Sequence, residues 1–205
     1  MTTVTAVLFD ADGVVQTSLP IVGEVARALD VDEVAAESFL EEMWGRLDAL
    51  GCLVGNGDLI RAVGELLEQR GFEHDAAAFY VGILRSTTVP LDDALTHVDR
   101  VRAAGIYCGL ATNQDSVRLG YMLDELGYAS RFDAVFASCD LKERKPTPDY
   151  FAAVLKAVAM PAPSVLFLDD HPDNVAAARE AGMLAERIER VADVAAALTA
   201  HGVLP

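Results

Sequence analysis

Two aspartates, Asp10 and Asp12, stand one residue apart at the end of an apolar run and directly before Gly13. In an extended chain, residues i and i+2 lie on the same side, so both carboxyl groups can reach one space. Carboxylates this close disfavour each other's ionisation unless a cation or solvent compensates the charge. The pair therefore predicts a bound cation or a proton-transfer site at this position.

Polar residues also stand at the ends of the three later apolar runs or shortly after them. Thr112 and Asn113 end the second run, Lys145 follows the third, and Asp169 and Asp170 end the fourth. Several carboxylates at one edge suit a hard cation, and Mg²⁺ favours one or two carboxylates together with water and a substrate phosphate. Beside such a cation, an ionised carboxylate can attack phosphorus and divide one difficult transfer into two easier steps. This combination of groups is typical of phosphoryl transfer.

The elements that must bring these groups together are short strands. Apolar runs typical of strands buried on both faces occupy residues 5–10, 106–112, 132–138 and 164–170. Helical patterns accompany the later runs, at residues 92–104, 115–126, 147–159, 173–180 and 193–200. This alternation predicts an α/β fold with a parallel sheet flanked by helices. Because the carboxyl ends of parallel strands face one edge, we expect the polar groups to converge there.

The segment from about residue 20 to residue 86 interrupts this alternation. It contains three amphipathic helical patterns, DEVAAESFLEEMWGRLDAL, DLIRAVGELLEQR and DAAAFYVGILRS, with several glycines between them and no strand-like run. Helical periodicity without strand periodicity indicates a helical unit. The sequence therefore predicts a helical insertion between the first strand and the rest of the sheet.

Composition limits the partners of this chain. Its 205 residues carry 32 acidic and 16 basic side chains, a formal charge of −16, which repels the phosphates of nucleic acids and anionic lipids. We therefore expect no nucleic acid and no membrane as a partner, and neither a signal peptide nor a membrane span. Three cysteines without CxxC spacing predict a reducing, cytoplasmic setting rather than a disulfide framework or a structural zinc site.

Four short stretches follow one another over about residues 5–180: DADGV, Thr112-Asn113, Lys145-Pro146 and LDDHPDN. Together they resemble the four signature motifs of the haloacid dehalogenase superfamily. The resemblance implies a Rossmann-like core formed by residues 1–15 and 88–205. It also implies that residues 16–87 form a small helical cap, inserted between the first and second motifs.

The resemblance further implies catalytic roles for three residues. Asp10 would be the nucleophile and a ligand of Mg²⁺. Asp12 would be the acid and base, and would also bind the metal through its backbone carbonyl. Lys145 would neutralise charge on the nucleophile and the phosphate, although Lys142 and Arg144 in the same loop are rival cations.

Binding roles are implied for a second group of residues. Thr112 and Asn113 would hold phosphoryl oxygens, and the same pair could also begin the following helix. Asp170 would bind Mg²⁺ directly, and Asp169 would support it or its waters within the metal site. Asn174 stands where some members of the superfamily have a further acidic residue.

The reaction predicted on these grounds is Mg²⁺-dependent hydrolysis of a small phosphorylated metabolite, such as a sugar phosphate, through an aspartyl-phosphate. Asp12 favours a phosphate ester over a halide, because a halide leaving group needs no proton. A phosphomutase or a haloacid dehalogenase remains an alternative, and a phosphate-carrying receiver module is a more distant one. The residues after Gly13, VVQTS, depart from the usual motif, so the sequence does not identify the substrate. It does not predict the oligomeric state either.

Overall fold

The computed structural model describes residues 3–205, so residues 1 and 2 of the predicted core segment 1–15 lie outside the described part. The described residues form these strands, in chain order: β1 Ala6–Phe9, β2 Gln16–Ser18, β3 Thr88–Pro90, β4 Tyr107–Thr112, β5 Ala134–Ala137, β6 Val165–Asp169 and β7 Leu184–Arg187. Five of them make a parallel sheet in the order β5-β4-β1-β6-β7, and β2 pairs with β3 in a small antiparallel sheet. The predicted α/β fold is confirmed.

Helices surround the sheet and fill the interval between β2 and β3. Those of the core are α5 Asp92–Ala103, α6 Ser116–Asp124, α7 Tyr128–Arg131, α8 Ser138–Leu141, α9 Pro148–Val158, α10 Pro172–Glu180 and α11 Val191–Ala200. Those between β2 and β3 are α1 Ile21–Leu29, α2 Glu33–Ala49, α3 Leu59–Gln69 and α4 Ala76–Thr87. We call this second group the cap helices.

Alternate residues of the central strands bury their side chains on opposite faces of the sheet. In β1, Val7 and Phe9 join one apolar cluster, whereas Ala6 and Leu8 join another on the other face. This alternation follows from the period of two in an extended chain. Full burial of a side chain such as Phe9 contributes about 1.5–3 kcal/mol by transfer from water. Both faces must therefore be covered by helices, which fixes the three-layer arrangement.

Three cap helices begin at an aspartate that satisfies a backbone N–H of the first turn. Asp32 accepts from Ala35 at 2.8 Å, and Asp75 accepts from Ala78 at 2.7 Å. Asp58 does the same for α3. Such caps stabilise a helix by about 1 kcal/mol each. They explain why the three predicted amphipathic patterns form α2, α3 and α4.

The small sheet is where the chain leaves the core and returns to it. Gln16 pairs with Pro90 and Thr17 with Val89, so β2 and β3 hold the two ends of the cap segment together. The cap boundaries at residues 16 and 87 stay a prediction, and we propose that the cap helices form the cap. In the part of the chain that the structure describes, no helix is long and apolar enough to cross a membrane.

The carboxyl ends of β1, β4 and β6 lie side by side, because β1 pairs with both neighbours in parallel. Asp10 follows β1 directly, Thr112 is the last residue of β4, and Asp169 is the last residue of β6. The predicted convergence of polar groups at one edge of the sheet therefore occurs.

Candidate active site

The carboxyl group of Asp10 is buried at the end of β1. Its Oδ1 accepts a hydrogen bond from the backbone N–H of Ala11 at 2.7 Å and lies 2.8 Å from Nζ of Lys145. Burial raises the pKa of Asp10 to about 7, against the lowering effect of the Lys145 charge, and the charge of Asp169 adds to the rise. The charge of this carboxyl group therefore depends on the cations around it.

The ammonium group of Lys145 is buried between two carboxylates. In addition to Asp10, its Nζ lies 2.7 Å from Oδ2 of Asp169 and donates to the carbonyl of Ala111 at 2.9 Å. Burial alone would lower the pKa of Lys145, but the two carboxylates outweigh it and the pKa is raised. Lys145 is therefore a fixed positive charge beside the nucleophile predicted for this site.

The backbone of Lys145 is held in place by the side chain of Asn113. Nδ2 of Asn113 donates to the carbonyl of Lys145 at 3.0 Å, and Oδ1 accepts from its N–H at 2.9 Å. Both ends of the amide are thus used to position the lysine loop. Thr112 is buried, and its Oγ1 accepts from Nε2 of Gln114 at 3.3 Å. The contacts of Thr112 and Asn113 with phosphoryl oxygens stay a prediction.

Asp169 and Asp170 differ sharply in their surroundings. Asp169 is fully buried, and its oxygens accept from the N–H of His171 at 2.8 Å and from Nδ2 of Asn174 at 3.0 and 3.1 Å. Asp170 is exposed, and partial burial of its carboxyl group together with the charge of Asp169 raises its pKa. Asp169 is thus held by hydrogen bonds, whereas Asp170 is the more accessible carboxylate; their roles at a metal stay a prediction.

Three carboxylates of the described residues meet closely enough to hold one cation. One oxygen each from Asp10, Asp169 and Asp170 lie within 4.8 Å of one another. Oxygen ligands of this kind and number are those that Mg²⁺ takes, with water completing its shell. Two of the three carboxyl groups have raised pKa values, which a bound cation would reverse. The residues therefore fit Mg²⁺.

Gly13 makes room for Asp170 at this site. Its φ of +78° belongs to the left-handed region, and a Cβ built there would lie 2.5 Å from Oδ2 of Asp170. A side chain at this position would be strained and would displace the carboxylate. The glycine that follows the aspartate pair is therefore needed for the close approach of Asp170.

The carboxylate of Asp12 is surrounded by donors. Arg118 donates to both of its oxygens, at 2.6 and 2.7 Å, while Nε2 of Gln16 and Nε2 of Gln114 add bonds of 3.0 and 2.9 Å. Burial alone would raise the pKa of Asp12, but the bonds and charge of Arg118 outweigh it and the pKa is lowered. Asp12 is thus a carboxylate in a defined orientation, separate from the cluster of three.

Comparison with known protein families shows to which family this chain belongs. A family model described as a haloacid dehalogenase-like hydrolase matches residues 4–182. The chain is a haloacid dehalogenase-like hydrolase. The matched segment contains every site residue from Asp10 to Asp170.

Curated relatives of this hydrolase include several named phosphoglycolate phosphatases. The one from Rhodospirillum rubrum is 28% identical over 191 residues, covering 87% of this chain and 76% of the relative. The one from Neisseria gonorrhoeae is 26% identical, covering 88% and 78%. A third relative, the Arabidopsis thaliana protein SUPPRESSOR OF QUENCHING 1, chloroplastic, is 27% identical over 88% of this chain, which spans only 17% of that longer protein.

Solved structures of the same family share the fold. A HAD family enzyme from Bacteroides thetaiotaomicron, in complex with magnesium and inorganic phosphate, is 17% identical with a TM-score of 0.75, over 90% of this chain and 93% of that one. A HAD-like hydrolase from Porphyromonas gingivalis is 22% identical with a TM-score of 0.72, over 91% of each chain. At such identities the similarity establishes the fold of the hydrolase alone.

The three cations of the KERKP loop take separate positions in this hydrolase. Lys145 lies beside Asp10, whereas Nζ of Lys142 donates to the carbonyl of Gly55 at 2.9 Å. Arg144 lies 3.4 Å from Asp48 of α2, where both side chains are exposed. The structure thus places the lysine preferred from the sequence, and neither rival, at the carboxylate cluster.

Sequence reasoning missed the partners that orient Asp12. Arg118 lies 106 residues further along the chain, in helix α6, for which the sequence predicted no functional residue. The scarcity of basic residues was the available signal, since 16 of them face 32 acidic residues and each is a candidate partner for a carboxylate. Asn174 was noted for its position, and the structure shows that it holds the buried Asp169.

Proposed function

We propose that this hydrolase is a Mg²⁺-dependent phosphatase of a small phosphorylated metabolite that forms an aspartyl-phosphate on Asp10. The observation that carries the proposal is the buried contact of Asp10 with Lys145, next to the carboxylates of Asp169 and Asp170. The curated relatives named phosphoglycolate phosphatase support phosphomonoester chemistry.

Asp10, Asp169 and Asp170 are the residues that would hold the metal, with Asp12 contributing its backbone carbonyl. Mg²⁺ supplies charge neutralisation of the substrate phosphate and of the attacking carboxylate. Asp169 lies between Lys145 and Asn174, so its orientation is fixed by hydrogen bonds before any ligand arrives. Such preorganisation keeps the site from reorganising during the reaction.

In the first step, a carboxylate oxygen of Asp10 attacks phosphorus while the bond from phosphorus to the leaving oxygen breaks. Lys145 remains charged at 2.8 Å from the attacking group and offsets the negative charge of the phosphate. Thr112, with the backbone around Asn113, holds phosphoryl oxygens in this proposal. Asp12 gives a proton to the leaving oxygen when that oxygen is a poor leaving group.

In the second step, water attacks phosphorus and the bond to the Asp10 oxygen breaks, which restores the carboxylate. Asp12 takes the proton of the attacking water, which balances the proton given to the leaving oxygen in the first step. The two steps together convert an ester and water to an alcohol and inorganic phosphate. General acid–base help of this kind contributes about 10²–10⁴-fold.

The test is release of inorganic phosphate from a panel of phosphomonoesters, including phosphoglycolate and sugar phosphates, with Mg²⁺ and with a chelator. Phosphate release that depends on Mg²⁺ and is lost in Asp10→Asn is the expected result. Asp173→Asn, at an exposed position in the first turn of α10, is the control and should retain activity. Release that persists in Asp10→Asn would exclude the proposed nucleophile, and halide release from a haloacid would indicate a dehalogenase.

A further inference from the structure

We propose that Arg118 and, through Asp115, the cap residue Tyr80 are positioning residues that hold the Asp12 carboxylate for activation of the attacking water. The inference rests on the function proposed above. It adds to that function a chain of buried contacts that connects a cap helix to the acid and base.

The first of these contacts is a bidentate pair of hydrogen bonds between Arg118 and Asp12, which we call the arginine fork. Nη1 and Nη2 of Arg118 donate to separate oxygens of Asp12, and only 16% of the Arg118 side chain is exposed. Two parallel bonds fix both the distance and the plane of a carboxylate, which a single lysine contact would not do. Arg118 therefore determines which way the carboxylate faces.

The four donors on Asp12 are not equally strong. Those of Arg118 are charged and lie at 2.6 and 2.7 Å, whereas the amides of Gln16 and Gln114 are neutral and lie at 3.0 and 2.9 Å. Hydrogen bonds to a charged donor are about twice as strong as neutral ones. A reacting water can therefore replace a glutamine amide while the arginine fork keeps its place.

Gln16 is the donor that gives way at the lowest cost. Gln114 is held on its other side, because its Oε1 accepts from Arg118 at 3.1 Å and its Nε2 also contacts Thr112. The Oε1 of Gln16 is buried and has no hydrogen-bond partner within residues 3–205. A rotation of this amide gives up one neutral bond to Asp12 and a weak contact of Nε2 with Sδ of Met122 at 3.8 Å, and it opens one lone pair of Asp12 to water.

The second contact fixes the backbone from which Arg118 extends. Asp115 caps α6, and its Oδ1 accepts from the N–H groups of Val117 and Arg118, both at 2.9 Å. The N–H of Arg118 is thus held by the same carboxylate that begins the helix. A shift of Asp115 would carry the guanidinium with it.

The third contact comes from the cap. The hydroxyl of Tyr80, in α4, donates to Oδ2 of Asp115 at 2.8 Å, and both residues are almost fully buried. Burial and the adjacent Asp115 charge raise the pKa of Tyr80 well above its usual range, so the hydroxyl stays a donor. Removing it would leave one carboxylate oxygen without its buried partner, which costs about 1–3 kcal/mol.

A second contact between α4 and α6 provides a matched control. Arg85 binds Glu125 at 2.6 and 2.8 Å, but this pair is exposed and lies at the far end of α6 from Arg118. Both pairs hold the same two helices together. Of these two pairs, only Tyr80 with Asp115 is connected through Arg118 to Asp12. Substitutions at the two pairs therefore distinguish an effect on the position of Asp12 from an effect on the packing of α4 against α6.

The experiment measures hydrolysis of the phosphoenzyme formed on the 205-residue chain with p-nitrophenyl phosphate and Mg²⁺. This ester has a good leaving group, so its first step needs little help from Asp12. The decay rate of the phosphoenzyme after a chase reports the second step. The value of kcat/KM reports the first step. The decay rate is a first-order constant, so it does not depend on the fraction of the protein that is folded.

Arg118→Met is expected to slow phosphoenzyme decay by about tenfold or more, and to lower kcat/KM by less than about threefold. Arg118→Lys should recover only part of the decay rate, because it restores the charge without the fork. Tyr80→Phe should slow decay by a smaller factor, and should add nothing in the Arg118→Met background. Arg85→Gln should leave the decay rate unchanged.

Equal losses of decay rate and kcat/KM in Arg118→Met would overturn the inference, as would full decay in Arg118→Lys. Additive effects of Tyr80→Phe and Arg118→Met would remove Tyr80 from the chain of contacts. An active wild-type protein that forms no phosphoenzyme on Asp10 would instead refute the proposed function, and this inference with it. These outcomes can be told apart, because the first three are measured on a phosphoenzyme that is absent in the last.

Discussion

Nζ of Lys145 lies 2.8 Å from Oδ1 of Asp10, and both side chains are buried at the carboxyl edge of the sheet. Nζ of Lys145 also lies 2.7 Å from Oδ2 of Asp169, so one ammonium group contacts two carboxylates. The local charge is therefore negative even with the lysine in place. A cation bound at this edge would offset the remaining negative charge.

Removal of the lysine charge should destabilise the fold. Lys145→Met leaves Asp10 and Asp169 buried without their partner, and breaking a buried pair costs about 3–5 kcal/mol. Denaturant unfolding without metal should show this loss at pH about 8 and a smaller loss at pH about 5, where carboxyl groups with raised pKa values are protonated. Lys142→Met, at the exposed contact with Gly55, is the control and should change the stability by under about 1 kcal/mol. A loss independent of pH would contradict the assigned charges.

Asp10 should make the metal-free protein less stable as the pH rises. Its pKa is raised from 3.8 to about 7 in the folded chain, so its favourable contribution is complete below about pH 4 and is lost as the pH passes 7. Asp10→Asn has no such titration. The stability of the variant relative to the wild type should thus increase between pH about 4 and 8, by about 4 kcal/mol. A difference that stays flat over this range would show that Asp10 is not perturbed.

Mg²⁺ should stabilise the protein through the carboxylate cluster. A concentration 100 times the dissociation constant adds about 2.7 kcal/mol, which corresponds to a rise in Tm of about 5–10 °C. The rise should be larger at pH about 8 than at pH about 6, because the metal competes with a proton on Asp10. Asp170→Asn should abolish most of it. The same rise in this variant would place the metal elsewhere.

Gly13 should tolerate no side chain. In Gly13→Ala the new Cβ meets Asp170 at 2.5 Å and adopts a φ of +78°, so both the fold and the Mg²⁺-dependent shift in Tm should suffer. Gly71→Ala is a matched control, since its φ is +79° with nothing within 4 Å of the new Cβ. The control should lose about 1–2 kcal/mol from backbone strain alone. Equal losses in the two variants, with the metal response intact, would show that contact with Asp170 does not matter.

The sheet was largely predictable because its strands are buried on both faces. Runs such as 164–170 are continuous and apolar, and β6 occupies Val165–Asp169 within that run. The strand β7, Leu184–Arg187, was not predicted. It lies at the edge of the sheet and pairs only with β6, and its sequence LAER lacks the continuous apolar run of the central strands. Helix α1, Ile21–Leu29, was also missed. It begins after Pro20 without a side-chain cap and contains Gly23, so it carries few of the usual signals.

The candidate site was predictable to the extent that its residues stand at strand ends. Asp10, Thr112 and Asp169 converge because parallel strands share an edge, which the alternation of elements indicates. The hydrogen bonds of Asn113 to the backbone of Lys145 could not be foreseen, since the two lie 32 residues apart in different loops. The fork between Arg118 and Asp12 is likewise tertiary, and no local spacing encodes it.

The central claim is that the phosphoryl group passes through Asp10. We would quench the 205-residue chain with acid during turnover of p-nitrophenyl phosphate with Mg²⁺, reduce it with borohydride, and sequence its peptides by mass spectrometry. Borohydride converts an aspartyl-phosphate to homoserine, so the account predicts homoserine at position 10, in the peptide that still carries an unmodified Asp12, and none when substrate is omitted. Phosphate release without homoserine at position 10, or with homoserine at another aspartate, would contradict it.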